Sequence, residues 1–193
     1  MSEPSYFDNG KAALALRKEA LSWLGTPFAE CYVEEIPNMP EPDLKGPTGA
    51  IDCISLVNEI FSRIGVSDRF VLKRSPADYQ SHQTGEKILD WLRGKAEDPQ
   101  SKWLGSVLLE LKIPDKVTQR DAETPRDFFK PGDILVLQHG SLFHMPVIYD
   151  DDLHFVNALP RRGVIEGTIQ DFSYSQHLVA VFRVKPKADW NVL

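Results

Sequence analysis

Thr48-Gly49-Ala50-Ile51-Asp52-Cys53-Ile54-Ser55-Leu56-Val57 is the stretch on which the reading of this chain turns. Gly49 loosens the backbone, an aspartate follows, and a cysteine opens an apolar run. Asp52 is a good N-cap, because its carboxylate accepts from an otherwise free amide of the first helical turn. Beyond it Ile54, Leu56, Val57, Ile60, Phe61 and Ile64 recur near the helical period, which predicts a helix to about Ile64 with one buried face. Gly65 suits its end. A thiol in that place faces unsatisfied amides and the positive end of the helix dipole, and both favour the nucleophilic thiolate. The same amides suit an oxyanion formed when the sulfur attacks a carbonyl. The competing reading is a small apolar residue filling a gap in the core, where a free cysteine usually sits.

The chain has 193 residues, of which 42% are hydrophobic and 26% charged, enough for one cored domain. A formal charge of −6 without a basic cluster argues against nucleic acid as a partner. Two cysteines make no disulfide framework. No stretch is long and apolar enough to span a membrane. Met1-Ser2-Glu3-Pro4-Ser5 lacks a basic segment followed by an apolar one, so synthesis in the cytoplasm without a signal peptide is expected. Placement in a phage virion, or export by a signal-independent route, stays open. No metal or other cofactor is expected.

Working outward, Asp8 or Asn9 caps a first helix to about Leu24, with Ala12, Leu14, Leu16, Ala20, Leu21 and Leu24 as its apolar stripe. Phe28 to Pro47 is proline-rich and acidic and reads as a loop holding Cys31, whose acidic neighbours mark it as structural or incidental. From about 66 to 128 a helical insertion is predicted, with one helix started by Thr84-Gly85-Glu86, carrying Ile88, Leu89, Trp91 and Leu92 and ending near Gly94, and a second started by Asp98-Pro99 and carrying Trp103 to Leu111 until Pro114. It adds core or forms one wall of a groove. The tail reads as five strands: Asp133 to Gln138, Leu142 to Tyr149, Leu153 to Ala158, Gly163 to Thr168 and His177 to Val184. Asp150-Asp151-Asp152 reads as a solvated hairpin tip rather than a cation site. Trp23, Trp91 and Trp103 are expected in cores, Trp190 in a loose tail. Helices first and an antiparallel sheet of about five strands afterwards give an α+β class.

A reactive thiol needs a base, and the five histidines all follow Cys53. His82, His139 and His177 read as exposed. An even-length hairpin loop pairs Tyr149 with Asp152, and so His144 with Asn157, within reach of an amide-to-imidazole bond; His154 then faces the other way, opposite Val147. The constellation is Cys53, His144 and Asn157: nucleophile, base, and a carboxamide that holds the imidazole in one tautomer. His144 and Asn157 as plain sheet residues is the alternative.

Trp23-Leu24-Gly25-Thr26-Pro27-Phe28, Gly49 to Cys53, Pro131-Gly132-Asp133-Ile134-Leu135, His144 to Tyr149 and Phe155-Val156-Asn157-Ala158 together resemble the NlpC-type, papain-like cell-wall cysteine peptidases. The nearest variant is that of phage tails and gene-transfer agents, which also has a counterpart of Arg162-Gly163-Val164-Ile165-Glu166. The resemblance covers most of the chain outside about 66–128. It implies a single peptidase domain over 1–193 in which the nucleophile helix packs on the sheet. It further implies Cys53 as nucleophile, His144 as base, Asn157 as orienting residue, and hydrolysis of a γ-D-glutamyl–diamino acid bond in a peptidoglycan stem peptide. A phage or secretion-machinery partner fits the same variant. The chain departs from the pattern at Ile54-Ser55, where small residues are usual, at Met145-Pro146, where Val-Gly is usual, and at Phe28, where a tyrosine hydroxyl would assist the oxyanion. Tyr32 is the candidate to compensate, with Asp52 as support beside the nucleophile. An acyltransferase or transamidase on the same chemistry, and a non-catalytic assembly or binding module, are the other two readings.

Overall fold

The protein is described by a computed structural model covering residues 3–29, 45–46, 49–66, 86–97, 99–118, 127–140 and 142–190. Cys31, Tyr32 and His82 lie outside the described residues. The helices are α1 (Gly10–Leu21), α2 (Cys53–Arg63), α3 (Glu86–Leu92), α4 (Pro99–Val107) and α5 (Phe172–Ser175). The strands are β1 (Leu108–Glu110), β2 (Ile134–His139), β3 (Leu142–His144), β4 (Val147–Ile148), β5 (His154–Leu159), β6 (Gly163–Thr168) and β7 (Leu178–Val184). They form one antiparallel sheet in the order β1-β7-β2-β4-β5-β6, with β3 also paired to β2. The class is α+β, as expected.

The sheet has seven strands rather than about five, for two physical reasons. Leu108, Leu109 and Glu110, read as helix, pair instead with Val184, Arg183 and Phe182 of β7. A short apolar run carries no period that separates buried helix from buried strand. Pro146 then divides the expected strand over Leu142 to Tyr149, because proline has no N–H to give to β2. The region between 66 and 128 thus contributes a strand to the common sheet, not only helices.

Both faces of the sheet are covered, so β2 is apolar at four successive positions. Ile134 and Val136 meet the helices, together with Met145, Val147, Val156, Ala158 and Phe182. Leu135 and Leu137 point the other way, into a second cluster with Ile148, Phe155, Leu178 and Val181. In α2, Ile54, Leu56, Val57, Ile60 and Phe61 are buried, and Gly65 follows at φ +71°. The stripe of α1 is narrower than expected: Leu16 and Ala20 are buried, whereas Leu14 is 69% exposed. That helix also stops at Leu21, three residues early. Trp23 is buried as expected, and Trp190 is not loose: its indole donates to Lys185 O and stacks on Tyr6. Among the described residues no helix is long and apolar enough to cross a membrane.

One buried ion pair ties the parts together. Arg183 of β7 donates from Nε and Nη2 to the two carboxylate oxygens of Asp133 at 2.8 and 2.7 Å, and both residues are at most 1% exposed. Its other nitrogen contacts reach Glu3 O and Phe128 O, and Lys130 N donates to Asp133. The preceding glycine is required: Gly132 has φ +84°, and a Cβ there would lie 1.9 Å from the Phe7 ring. Arg183→Met should destabilise the fold by about 3–5 kcal/mol in urea unfolding, because it leaves an unpaired buried carboxylate. A loss below about 1 kcal/mol would refute that role for the pair.

Candidate active site

The segment before α2 is positioned from two sides. Gly25 N donates to Val164 O, and Val164 N donates to Thr26 O at 2.8 Å. Gly163 permits that approach, since a Cβ on it would lie 2.4 Å from Thr26 O. On the other side Ile51 N donates to Pro27 O, and Phe28 bridges Ile51 in parallel. The motifs Trp23 to Phe28, Gly49 to Cys53 and Arg162 to Glu166 therefore meet at the start of α2.

Asp52 caps the helix as its position predicts. Its Oδ1 accepts from Ile54 N and Ser55 N, both at 2.9 Å, and Ser55 Oγ donates to Oδ2. This satisfies the amides that the sequence reading assigned to an oxyanion, so Asp52 supports the helix start rather than a transition state. The main-chain N–H groups of Met145, Cys53 and Ile54 act on the Cys53 thiol, and the residue packs against the cluster that contains Met145 and Ile54. Cys53 keeps partial exposure as a residue, while protein surrounds its sulfur closely. Burial pushes the thiol above its ordinary value, and the three amides pull it down without overcoming burial. The expected resting thiolate is corrected: desolvation outweighs the helix terminus, whose Ile54 and Ser55 amides also donate to Asp52.

His144 closes β3, opposite Leu137. Its neighbours Phe143 and Met145 pack into the helix-side cluster, so the imidazole projects to the other face. It is 9% exposed, and its Nδ1 has no hydrogen-bond partner among the described residues. Burial, and next the charge of His139, bring it down to about 4. His139, read as a loop residue, ends β2; its ring lies 5.9 Å from that of His144 and 3.9 Å from that of His177. His177 is thus half-buried before β7 rather than an exposed first residue of it.

Asn157 is 1% exposed in β5, and its Oδ1 also lacks a partner among the described residues. The expected direct pairing with His144 is not formed. Val147 faces Val156 and Ile148 faces Phe155, which puts Tyr149 opposite His154, two residues out of the predicted register. Asp150 causes the longer turn: its carboxylate accepts from His154 N and meets His154 Nδ1, both at 3.0 Å, and Leu153 takes φ +64°. A shift of two preserves side-chain parity, so Asn157 still shares a face with His144, and β3 lies alongside β5. The structure packs Cys53 on the helix side, against the cluster that holds Met145, the residue after His144. It brings His144 and Asn157 to one face of neighbouring strands and leaves both polar atoms open.

Two other features lie apart. Ligand atoms of Asp150, Asp152 and His154 fall within 4.8 Å of one another, but Asp150 and His154 are already bonded to each other across the hairpin turn. A recess of about 590 Å³ is lined by Leu92, Arg93, Lys95, Gly105, Leu108, Glu110 and Phe182, none of which belongs to the Cys53 site. The chain matches no protein-family model and no curated protein. The missed contributors are Met145 through its main chain and His139 through its ring; Pro146 inside a strand was the available signal for the first.

Since His144 titrates near 4 in the fold and near 6.5 ordinarily, the unfolded chain binds that proton first. Its contribution is full above pH 6.5 and is lost as the pH falls towards 4. His144→Gln should therefore lose less stability than the parent between pH 7 and about 4.5 in urea unfolding. Equal losses in the two proteins would contradict the buried, neutral imidazole.

Proposed function

We propose that this protein is an NlpC-type cysteine peptidase or amidase that cleaves an amide bond of bacterial cell-wall peptides through a thioester. The observation that carries the reading is Cys53 at the start of α2, packed against the same cluster as Met145, the residue after His144. Open polar atoms of His144 and Asn157 stand on the neighbouring strands. At rest the imidazole lies on the strand face opposite the packing that includes Cys53, so in this reading substrate binding must turn the ring to the sulfur, and with both groups neutral it takes the proton as the sulfur attacks rather than beforehand. It returns that proton to the leaving amine, and water then releases the acyl group. Asn157 Oδ1 accepts from the imidazole once substrate draws the two together, which fixes the tautomer without adding charge.

The substrate class, a γ-D-glutamyl–diamino acid linkage in a stem peptide, comes from the resemblance of the motifs around Cys53, His144 and Asn157. Cys53→Ala should lower cleavage of muropeptides by at least about 10³-fold while leaving the unfolding midpoint close to that of the parent. Undiminished cleavage by that variant would end the reading. Chromatography of the products with an added amine separates hydrolysis from acyl transfer.

One observation favours a second reading, a binding module without turnover: the thiol is raised, not lowered. Alkylation of Cys53 by iodoacetamide should accordingly climb with pH and reach no plateau below about pH 8. A plateau near neutrality would point to a preformed ion pair. Tight muropeptide binding by the parent protein with no product would favour the module.

A further inference from the structure

The sheet ends at β1, and one side of that strand is unclaimed. Leu111 N donates to Val181 O and Lys185 N donates to Val107 O, both at 2.9 Å, so residues 107, 109 and 111 turn their main-chain groups to β7. Antiparallel pairing alternates, and Leu108 and Glu110 therefore turn theirs away. The C=O of Leu108 and the N–H and C=O of Glu110 have no partner among the described residues, and Glu110 is exposed. The recess of about 590 Å³ adjoins the same strand, and its size lies within the ~300–1,000 Å³ of ordinary ligand pockets. Leu108 and Glu110 line it together with Phe182 of β7 and with Leu92, Arg93 and Lys95 at the end of α3. Its apolar side chains, Leu92, Leu108 and Phe182, belong to the core. Two cations stand over them. Arg93 donates from Nε and Nη2 to the Glu110 carboxylate at 2.8 and 2.6 Å, which leaves Nη1 without a partner among the described residues. Lys95 Nζ is 3.9 Å from Asp90, beyond hydrogen-bond reach, and its side chain is 65% exposed.

We propose that the outer side of β1 and this recess form a docking site for an extended peptide segment that carries an acidic side chain. The segment joins the sheet as a further strand: its C=O accepts from Glu110 N–H, and its N–H groups donate to the C=O of Leu108 and of Glu110. Its alternate side chains point to the helix side. One, apolar, covers Leu108 and Phe182; the next on that face, a carboxylate, meets Arg93 Nη1 and Lys95 Nζ. A second copy of the chain fits less well, because each carries a formal charge of −6 and β1 offers only three residues to pair. None of these residues belongs to the Cys53 site, so the inference holds whether or not the chain is a peptidase.

The test pans a library of displayed random peptides on the full chain and carries the most enriched sequence forward as a synthetic peptide. That peptide should contain Asp or Glu and should move the Glu110 amide signal in an NMR titration. Glu110→Pro removes the outward N–H at a position where an outermost strand tolerates proline, and should weaken binding by about 10-fold or more. Lys95→Glu, on an exposed side chain, should weaken it by a similar factor. Glu110→Gln should bind at least as tightly as the parent, because it releases the Arg93 guanidinium to the peptide. Undiminished binding by either of the first two variants, with its unfolding midpoint intact, would overturn the proposal; if Glu110→Pro does not fold, Lys95→Glu decides alone. A library that yields no peptide preferring the parent over Lys95→Glu would overturn it too. So would a concentration-dependent dimer that Glu110→Pro dissociates, which assigns this edge to a second copy.

Discussion

The buried pair of Asp133 and Arg183 is the constraint from which the rest of the architecture follows. Burying two charges is costly, and the arrangement tolerates it because each polar atom has a partner: two carboxylate contacts, Glu3 O, Phe128 O and Lys130 N. The pair fixes the entry of β2 relative to β7 and draws the chain's beginning onto both. Phe7 then fills the space over Gly132 and stacks towards Phe61 of α2 at 5.7 Å. The helix that presents Cys53 is thereby indexed to the sheet that carries His144.

The candidate site combines opposite demands on two titratable groups. Helix termini usually stabilise a thiolate, but here the cap is a carboxylate and the sulfur is enclosed, so desolvation prevails. The imidazole is likewise depressed by enclosure and by a neighbouring imidazole. Both groups therefore favour their uncharged forms. This differs from the ion-pair arrangement that a helix-start cysteine suggests on electrostatic grounds alone.

The legible parts of the sequence were those governed by local rules. The Asp52 cap, the α2 period and its Gly65 end follow from propensity and patterning, and the structure agrees on each. Parity within the tail strands was readable for the same reason. The hairpin register was not, because the side chain of Asp150 lengthens the turn by holding His154 in a way composition does not reveal. Nor was β1: Leu108 to Glu110 becomes a strand only because β7 lies beside it. Leu14 illustrates a third limit, since an apolar residue on a plausible stripe still faces solvent when α1 packs through Leu16 and Ala20.

The short β1 has a meaning beyond its three residues. It lies along the outer side of β7, and Leu111 N to Val181 O and Lys185 N to Val107 O extend the seam at either end. Removing β1 would bare the outer edge of β7, a seven-residue strand apolar at all but Arg183, with its hydrogen-bonding groups open. Such a rim invites strands from other copies, so this region acts as a guard against self-association as much as an ornament on the domain.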